Sequence, residues 1–463
     1  MSTASFPAQA PFPAAPVPKT RIAKLTLWPL IAATFFMVSG GAYGTEEIVH
    51  GAGYGRAVLI LILTPLLWAM PVALMAGELA SALPEEGGYY AWVRRGMGNF
   101  WGFQEAWLSL AGSVFDMAIY PTLFVAYLTR LAPWFAAGQR PLLVALGVVI
   151  VCALLNLSGI RSVGVTCFWL FILLSAPFAC IVLFSLFKVG ALAGAHTAPV
   201  TSTVGLLGGT LVAMWNYMGW DSASTIARGV DRPQRTYPRA MIGAVVLVSL
   251  GYLLPVLAVW ITGISASAFE NGSWADLAGL IAGNWLRVAL VLGGMLSGFG
   301  MFNALVMSYA RLPLAMAQDG MLPKFFTKTL PKTRAPWVAI VVLTACWALC
   351  LGLGFERLVT LDVMLAGASV VLEFVALVAL RIREPSLYRP FRVPGGLPGA
   401  ILLGVFPLLL LSLAAIHSRS EEILGMNALL FGALVMLAGF AAYLPVVLFR
   451  RAAARAAASV EKL

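Results

Sequence analysis

Charge is scarce in this sequence of 463 residues. Asp, Glu, Lys and Arg together make up 11% of it, against roughly 25% in soluble domains. So little charge excludes the two or three soluble domains that the length alone would suggest. Histidine is scarcer still. His50, His196 and His417 are scattered without metal-ligand spacing, which argues against a metal centre, and no catalytic set stands at an aqueous edge. An enzyme, a cofactor and a nucleic-acid partner are therefore not expected. The five cysteines, Cys152, Cys167, Cys180, Cys346 and Cys350, all lie in apolar stretches, where a thiol behaves as a small apolar residue. No disulfide framework is expected.

What fills the space is apolar. Hydrophobic residues reach 61%, gathered so that ten stretches of at least 20 residues contain no charged side chain, each long enough to cross a hydrocarbon core of about 30 Å. Leu25 to Thr45, Ser162 to Phe187 and Ala240 to Phe269 are examples. Two more stretches are interrupted only by a carboxylate: Glu105 to Leu128 by Asp116, and Asp362 to Leu380 by Glu373. The expectation is an all-α membrane protein of twelve spans. Residues 1–24, rich in Pro and Ala, read as a disordered cytoplasmic tail, 25–450 as one twelve-helix domain and 451–463 as a second cytoplasmic tail.

Of the 30 Lys and Arg residues, 23 fall on the side that holds both termini if the span count is even. The bias marks that side as the cytoplasm. The net charge of +11 is thus a matter of topology, and the expected home is the cell membrane, inner or plasma, crossed many times.

Two spans carry sequence that an ordinary helix avoids. Ser39-Gly40-Gly41-Ala42-Tyr43-Gly44 interrupts the first, and Asn216-Tyr217-Met218-Gly219-Trp220-Asp221-Ser222 interrupts the sixth. Unwound backbone survives at membrane depth only where protein or a watery cavity satisfies its N–H and C=O groups. Two such breaks five spans apart match transporters built from inverted five-helix repeats. The first repeat covers about 25–190, the second about 200–382, and two added helices about 395–449.

Carboxylates inside the spans are the remaining anomaly. Glu46, Glu47, Glu78, Glu105, Asp116, Asp221 and Glu373 are candidates, whereas no Lys or Arg stands in the central part of any span. Charges at that depth need a partner or a wet cavity, so these acids are expected to be protonated, held by polar groups, or facing a cation from outside. Glu46 and Glu47 point about 100° apart, so at most one aims squarely into a shared cavity. Glu105 is expected to reach the interface. Asp116 precedes Pro121 by five residues, which removes one helical bond and lets the span bend, and Tyr120 shares its face. Two acids in the first turn after the break disfavour a substrate carboxylate, so the set suits an amine without one. Tyr43, Trp215, Tyr217 and Trp220 supply aromatic walls.

The motifs GGAYGTEE (Gly40 to Glu47), PEEGGYYAWV (Pro84 to Val93), FWGFQEAW (Phe100 to Trp107), FDMAIYP (Phe115 to Pro121), WDSASTIARGVDRPQRTYPRA (Trp220 to Ala240) and AQDGMLPKFF (Ala317 to Phe326) occur in this order. On these motifs the chain resembles permeases of the amino acid, polyamine and organocation (APC) superfamily, most of all its polyamine:proton symporter branch. The resemblance implies a five-plus-five inverted-repeat transporter fold with broken helices 1 and 6, and a site between spans 1, 3, 6 and 8. It also implies that Gly40, Gly41, Tyr43, Glu47, Asp116, Tyr217, Trp220 and Asp221 bind substrate. Glu46, Glu47, Glu78, Asp116 and Glu373 are the candidates for proton coupling. Where members of that branch tend to carry Pro-Phe after the paired glycines, this chain has Ala42-Tyr43.

By the same likeness, Pro84 to Gly98 is a short inner-gate loop with Arg94 and Arg95 solvated, and Pro233 and Pro238 stop the helix after span 6. The function implied is import of a small cationic amine, above all a polyamine, by proton symport. The alternatives are an amino acid permease of the same fold or a nutrient sensor that binds without transporting.

Overall fold

The structure, a computed structural model, describes residues 24–193, 203–270, 272–351, 355–417, 422–423 and 426–460. His196 and residues 1–23, where most of the expected N-terminal tail falls, lie outside them. Almost everything described is helix, as it must be where no water is available to satisfy backbone groups.

Helix α1 (Leu27–Val38) ends at the first glycine-rich break, and α2 (Glu46–Thr64) starts beyond it. Gly53, with φ of 70°, bends α2, so that a short helix entering from the break turns into a longer one. A π turn at Pro65–Ala69 carries the chain into α3 (Met70–Ala82). Pro65 has no N–H to donate, and the hydrogen-bond ladder slips by one residue there.

Then follow α4 (Tyr89–Met97), α5 (Asn99–Leu131), α6 (Arg140–Asn156), α7 (Ile160–Ser185) and α8 (Thr203–Asn216). Past the second break come only two 3₁₀ turns, Ser222–Thr225 and Ala227–Gly229. The rest comprises α9 (Pro233–Ile261), α10 (Trp274–Ala282), α11 (Asn284–Tyr309), α12 (Arg311–Gln318), α13 (Trp337–Ala348), α14 (Phe355–Arg383), α15 (Gly396–His417) and α16 (Ala428–Val460). Among the described residues, eight helices are long and apolar enough to cross a membrane, and α1, α6 and α13 are shorter apolar helices. The protein is a multi-pass membrane protein.

Helix α11 is the axis of the bundle. It packs on α5, α7, α10, α6 and α1, and 78% of its most apolar window is buried. For α15 and α16 the figures are 17% and 11%, so these two line the rim. Their exposed Leu402, Leu409, Leu434, Leu437 and Leu444 face a solvent in which apolar surface carries no penalty.

Several expectations need correction. Pro84 to Gly98 is not simply a loop, because α4 occupies most of it and Tyr89, Tyr90 and Trp92 are fully buried. Arg95 is exposed, as expected, and Arg94 is half-buried, but each has an acidic partner. Arg94 pairs with Asp319 at 2.6 Å and Arg95 with Glu384 at 2.8 Å. Pro233 is the first residue of α9, where its missing N–H would have no helical partner, and Pro238 lies inside the same helix, so neither stops a helix. Residues 451–460, expected as tail, continue α16.

Candidate functional site

The two breaks meet. Gly41 and Gly44 take φ of 87° and 91°, and Gly219 takes 91°, conformations open to glycine at little cost. Gly219 also has no room for a Cβ, because the Met37 carbonyl oxygen occupies that place, and Gly40 has none against Ser297. The unwound strands thus lie on each other and on α11.

Their freed carbonyls are taken up by side chains. The Trp274 indole donates to Ala42 O at 2.8 Å, the Trp68 and Trp220 indoles to Tyr217 O at 3.0 and 2.8 Å, and the Tyr252 hydroxyl to Asn216 O at 2.7 Å. A large ring with one polar atom is well placed here, since it fills the apolar gap and supplies the missing donor.

A cavity of about 50 Å³ opens at this meeting point, between α1, α5, α8, α11 and α14. Of the substrate residues expected from sequence, Gly40, Tyr43, Asp116 and Asp221 line it, as does Trp215. The others fall outside the lining. Gly41 turns to Leu174 and Phe178 of α7. Tyr217 packs its ring on Tyr252 and donates to Leu61 O at 3.3 Å. Trp220 is wholly buried behind the break, and Glu47 is half-buried on the first turn of α2.

Tyr43 closes one end of the cavity. Its hydroxyl donates to Leu290 O at 2.6 Å, and its ring stands against Tyr127 and Phe178, each 5.0 Å away between centroids. Glu46 lies behind this cluster, 1% exposed. Its carboxylate accepts the Gly44 N–H at 2.6 Å and the Tyr127 hydroxyl at 3.3 Å. The first-turn N–H groups attract an anion, and the chain supplies one itself.

The other end is closed by a polar layer. Arg311 pairs with Glu86 at 2.6 Å with both side chains nearly buried, the Tyr90 hydroxyl donates to Asp319 at 3.0 Å, and the Ser308 hydroxyl donates to Ser222 O at 2.8 Å.

The acids divide sharply. Asp116 accepts from the Tyr120 hydroxyl one turn along α5. Asp221, at the second break, faces Glu373 of α14, whose two carboxyl oxygens are buried without a donor among the described residues. Two facing carboxyl groups with no cation beside them are compatible when one of them carries a proton. Glu105 does not reach the interface. It is fully buried and accepts from the Ser369 hydroxyl, which also lies 3.0 Å from Ser109 Oγ.

Glu78 overturns the expectation that no protein cation pairs these acids. It is far from the cavity lining and is held by Arg381, by Arg389 at 3.3 Å and by the Val393 N–H at 2.7 Å. Arg381 ends its helix, and a long side chain from a span terminus can reach an acid deeper in the bundle.

Sequence reasoning singled out Glu373 of α14 but missed the residues of that helix that line the cavity. Asp362, Ala366, Ser369 and Val370 line the cavity, and Glu373 stands just behind. The signal was there, because residues 362, 366, 369, 370 and 373 fall on one helical stripe. Among the described residues, no set of three His, Cys, Asp or Glu is arranged to hold a metal ion.

Comparison with known proteins agrees with this architecture. The family described as amino acid permease matches residues 31–444. The polyamine transporter RMV1 of Arabidopsis thaliana is 33% identical over 89% of this chain and 84% of its own length. The polyamine transporter PUT1 of Oryza sativa subsp. japonica is 33% identical over 88% of this chain and 77% of its own. More distantly, the serine/threonine exchanger SteT of Bacillus subtilis is 24% identical over 80% of this chain and 84% of its own. With glycine-broken helices around a closed cavity and a family match over nearly its whole length, the chain belongs to the amino acid permease family.

Proposed function

We propose that this chain is a secondary active transporter that imports a small cationic amine, a polyamine, together with protons. One observation carries the reading: among the described residues, the cavity is lined by carboxyl groups and by no Lys, Arg or His. Buried acids without cations attract an ammonium, which repays their desolvation when it arrives. The names of the relatives from Arabidopsis and rice support the same substrate class.

In this scheme Asp116 and Asp221 take the ammonium groups, while Gly40 and Tyr43 form the wall. Gly41, Tyr217 and Trp220 hold the breaks open from behind, and Glu47 is met on the outer approach. Glu373 carries a proton opposite Asp221 and yields it as the amine is exchanged, with Glu46 a second titrating group at the outer end. Glu78 locks α3 to the end of α14 and takes no part in coupling. The full architecture is twelve spans in two inverted repeats of five with two helices added, both termini cytoplasmic, in the cell membrane. Access alternates between the Tyr43 cluster outside and the Glu86–Arg311 layer inside.

Amino acid transport by the same fold is disfavoured by Glu46. A substrate carboxylate would seek the N–H groups at the start of α2, and just before that start the Glu46 carboxylate already accepts the Gly44 N–H. Purified protein in liposomes, offered labelled putrescine, spermidine, arginine and leucine under an inward proton gradient, tests the proposal. Accumulation of the two polyamines, lost when the gradient is collapsed, is expected. Uptake of leucine or arginine without uptake of the polyamines rejects it.

A further inference from the structure

We infer that Asp362 forms an additional ammonium subsite, in an arm of the cavity between α5 and α14, and that it selects amines with three charges over amines with two. The inference rests on the transport of polyamines proposed above.

Asp362 differs from the other two acids that line the cavity. Asp116 has the Tyr120 hydroxyl, and Asp221 has the backbone N–H of Ser222 and faces Glu373. Asp362 is 4% exposed, lines the cavity, and receives no hydrogen bond from any described residue. The charged groups that act on it are acids, Asp116 and Asp221. A carboxyl held almost entirely out of water with no donor is unfavourable by itself. It becomes favourable when a donor with positive charge comes from the cavity, and a substrate ammonium is such a donor.

Its position sets what it reads. Gly112 of α5 stands beside it, with Asp362 Oδ1 3.5 Å from where a Cβ would be. Gly112 is one turn before Asp116, so Asp362 lies along the cavity from Asp116 rather than beside the breaks. Asp116, Asp221 and Asp362 belong to three different elements, α5, the second break and α14. A diamine carries charges for two of them, whereas a triamine carries a third for Asp362.

The test uses full-length protein in liposomes and four solutes: putrescine, spermidine, and spermidine acetylated at either terminal amine. In the wild type, removing one terminal charge by acetylation is expected to raise the concentration needed for half-maximal uptake or competition by at least about thirtyfold, the equivalent of ~2 kcal/mol. In Asp362→Asn the preference for spermidine over putrescine falls by a similar factor, and acetylation at one end costs little. Asp362→Glu recovers part of the preference.

Equal competition by spermidine and both acetylated forms in the wild type overturns the inference, even if the Asn variant does not fold. So does an unchanged spermidine-to-putrescine ratio in a folded Asn variant. Failure of the wild type to take up either amine instead removes the underlying polyamine reading, and this subsite with it.

Discussion

Glu78 and Asp221 are both acids buried in the bundle, at 0% and 9% exposure, yet their surroundings have opposite logic. Glu78 is enclosed by Arg381, Arg389 and a backbone N–H. Asp221 lines a cavity that has no basic side chain among the described residues, and it faces another carboxyl group. One charge is neutralised within the chain, and the other, under the proposed function, by a charge from outside. Burial of an acid therefore carries no functional message in a membrane protein until its partners are known.

Substitutions can break this comparison. The largest effect is expected from Asp221→Asn, which keeps the shape of the side chain and removes its charge. Amine uptake should fall at least a hundredfold, more than the loss of one ordinary hydrogen bond, while the variant elutes as a folded protein in detergent. Wild-type rates in that variant would show that the cavity acids are not the substrate's partners.

Glu78→Gln should do the reverse. It leaves the Arg381 guanidinium, 2% exposed, without its counter-charge, which costs about 3 to 5 kcal/mol. Thermal unfolding should shift down and yield should fall, but uptake per folded molecule should stay near that of the wild type.

The smallest effect is expected at Arg95 and Glu384, on the rim of the same end of the molecule. Arg95 donates two hydrogen bonds to Glu384 at 2.9 and 2.8 Å, and this bonding holds the Glu384 carboxyl below its ordinary value of 4.5. A lowered folded value means the pair stabilises above the ordinary carboxylate range and that this stabilisation is lost as the pH falls through it. Both groups are solvated, so Glu384→Gln should move the unfolding midpoint at neutral pH only marginally. The difference between variant and wild type should vanish on acidification, as a pH series of melting curves would show.

The sequence announced the breaks because glycine density and polar residues at mid-span are local properties, and backbone that cannot hydrogen-bond to lipid must unwind against protein. It announced Asp116 and Asp221 for the same reason, as charges at the wrong depth in an apolar run. It also anticipated Tyr120, four residues along the same helix face. The partnership of Glu78 was illegible, since Arg381 lies 303 residues away and reaches inward from a helix end. Asp362 was read only as the boundary of a span, because its cavity exists only when α14 packs on α5 and α11.

The sequence by itself determined a helical membrane protein with two interrupted spans, a surplus of buried acids and a family likeness. These follow from the lipid solvent, which constrains each segment independently of the others. Only the tertiary structure decided which acids face a cavity, which are paired, and that Glu46 turns back to its own helix start while Glu47 stays outside the lining. Those outcomes depend on side chains brought together from distant helices, and the strength of an electrostatic interaction is set by that local company.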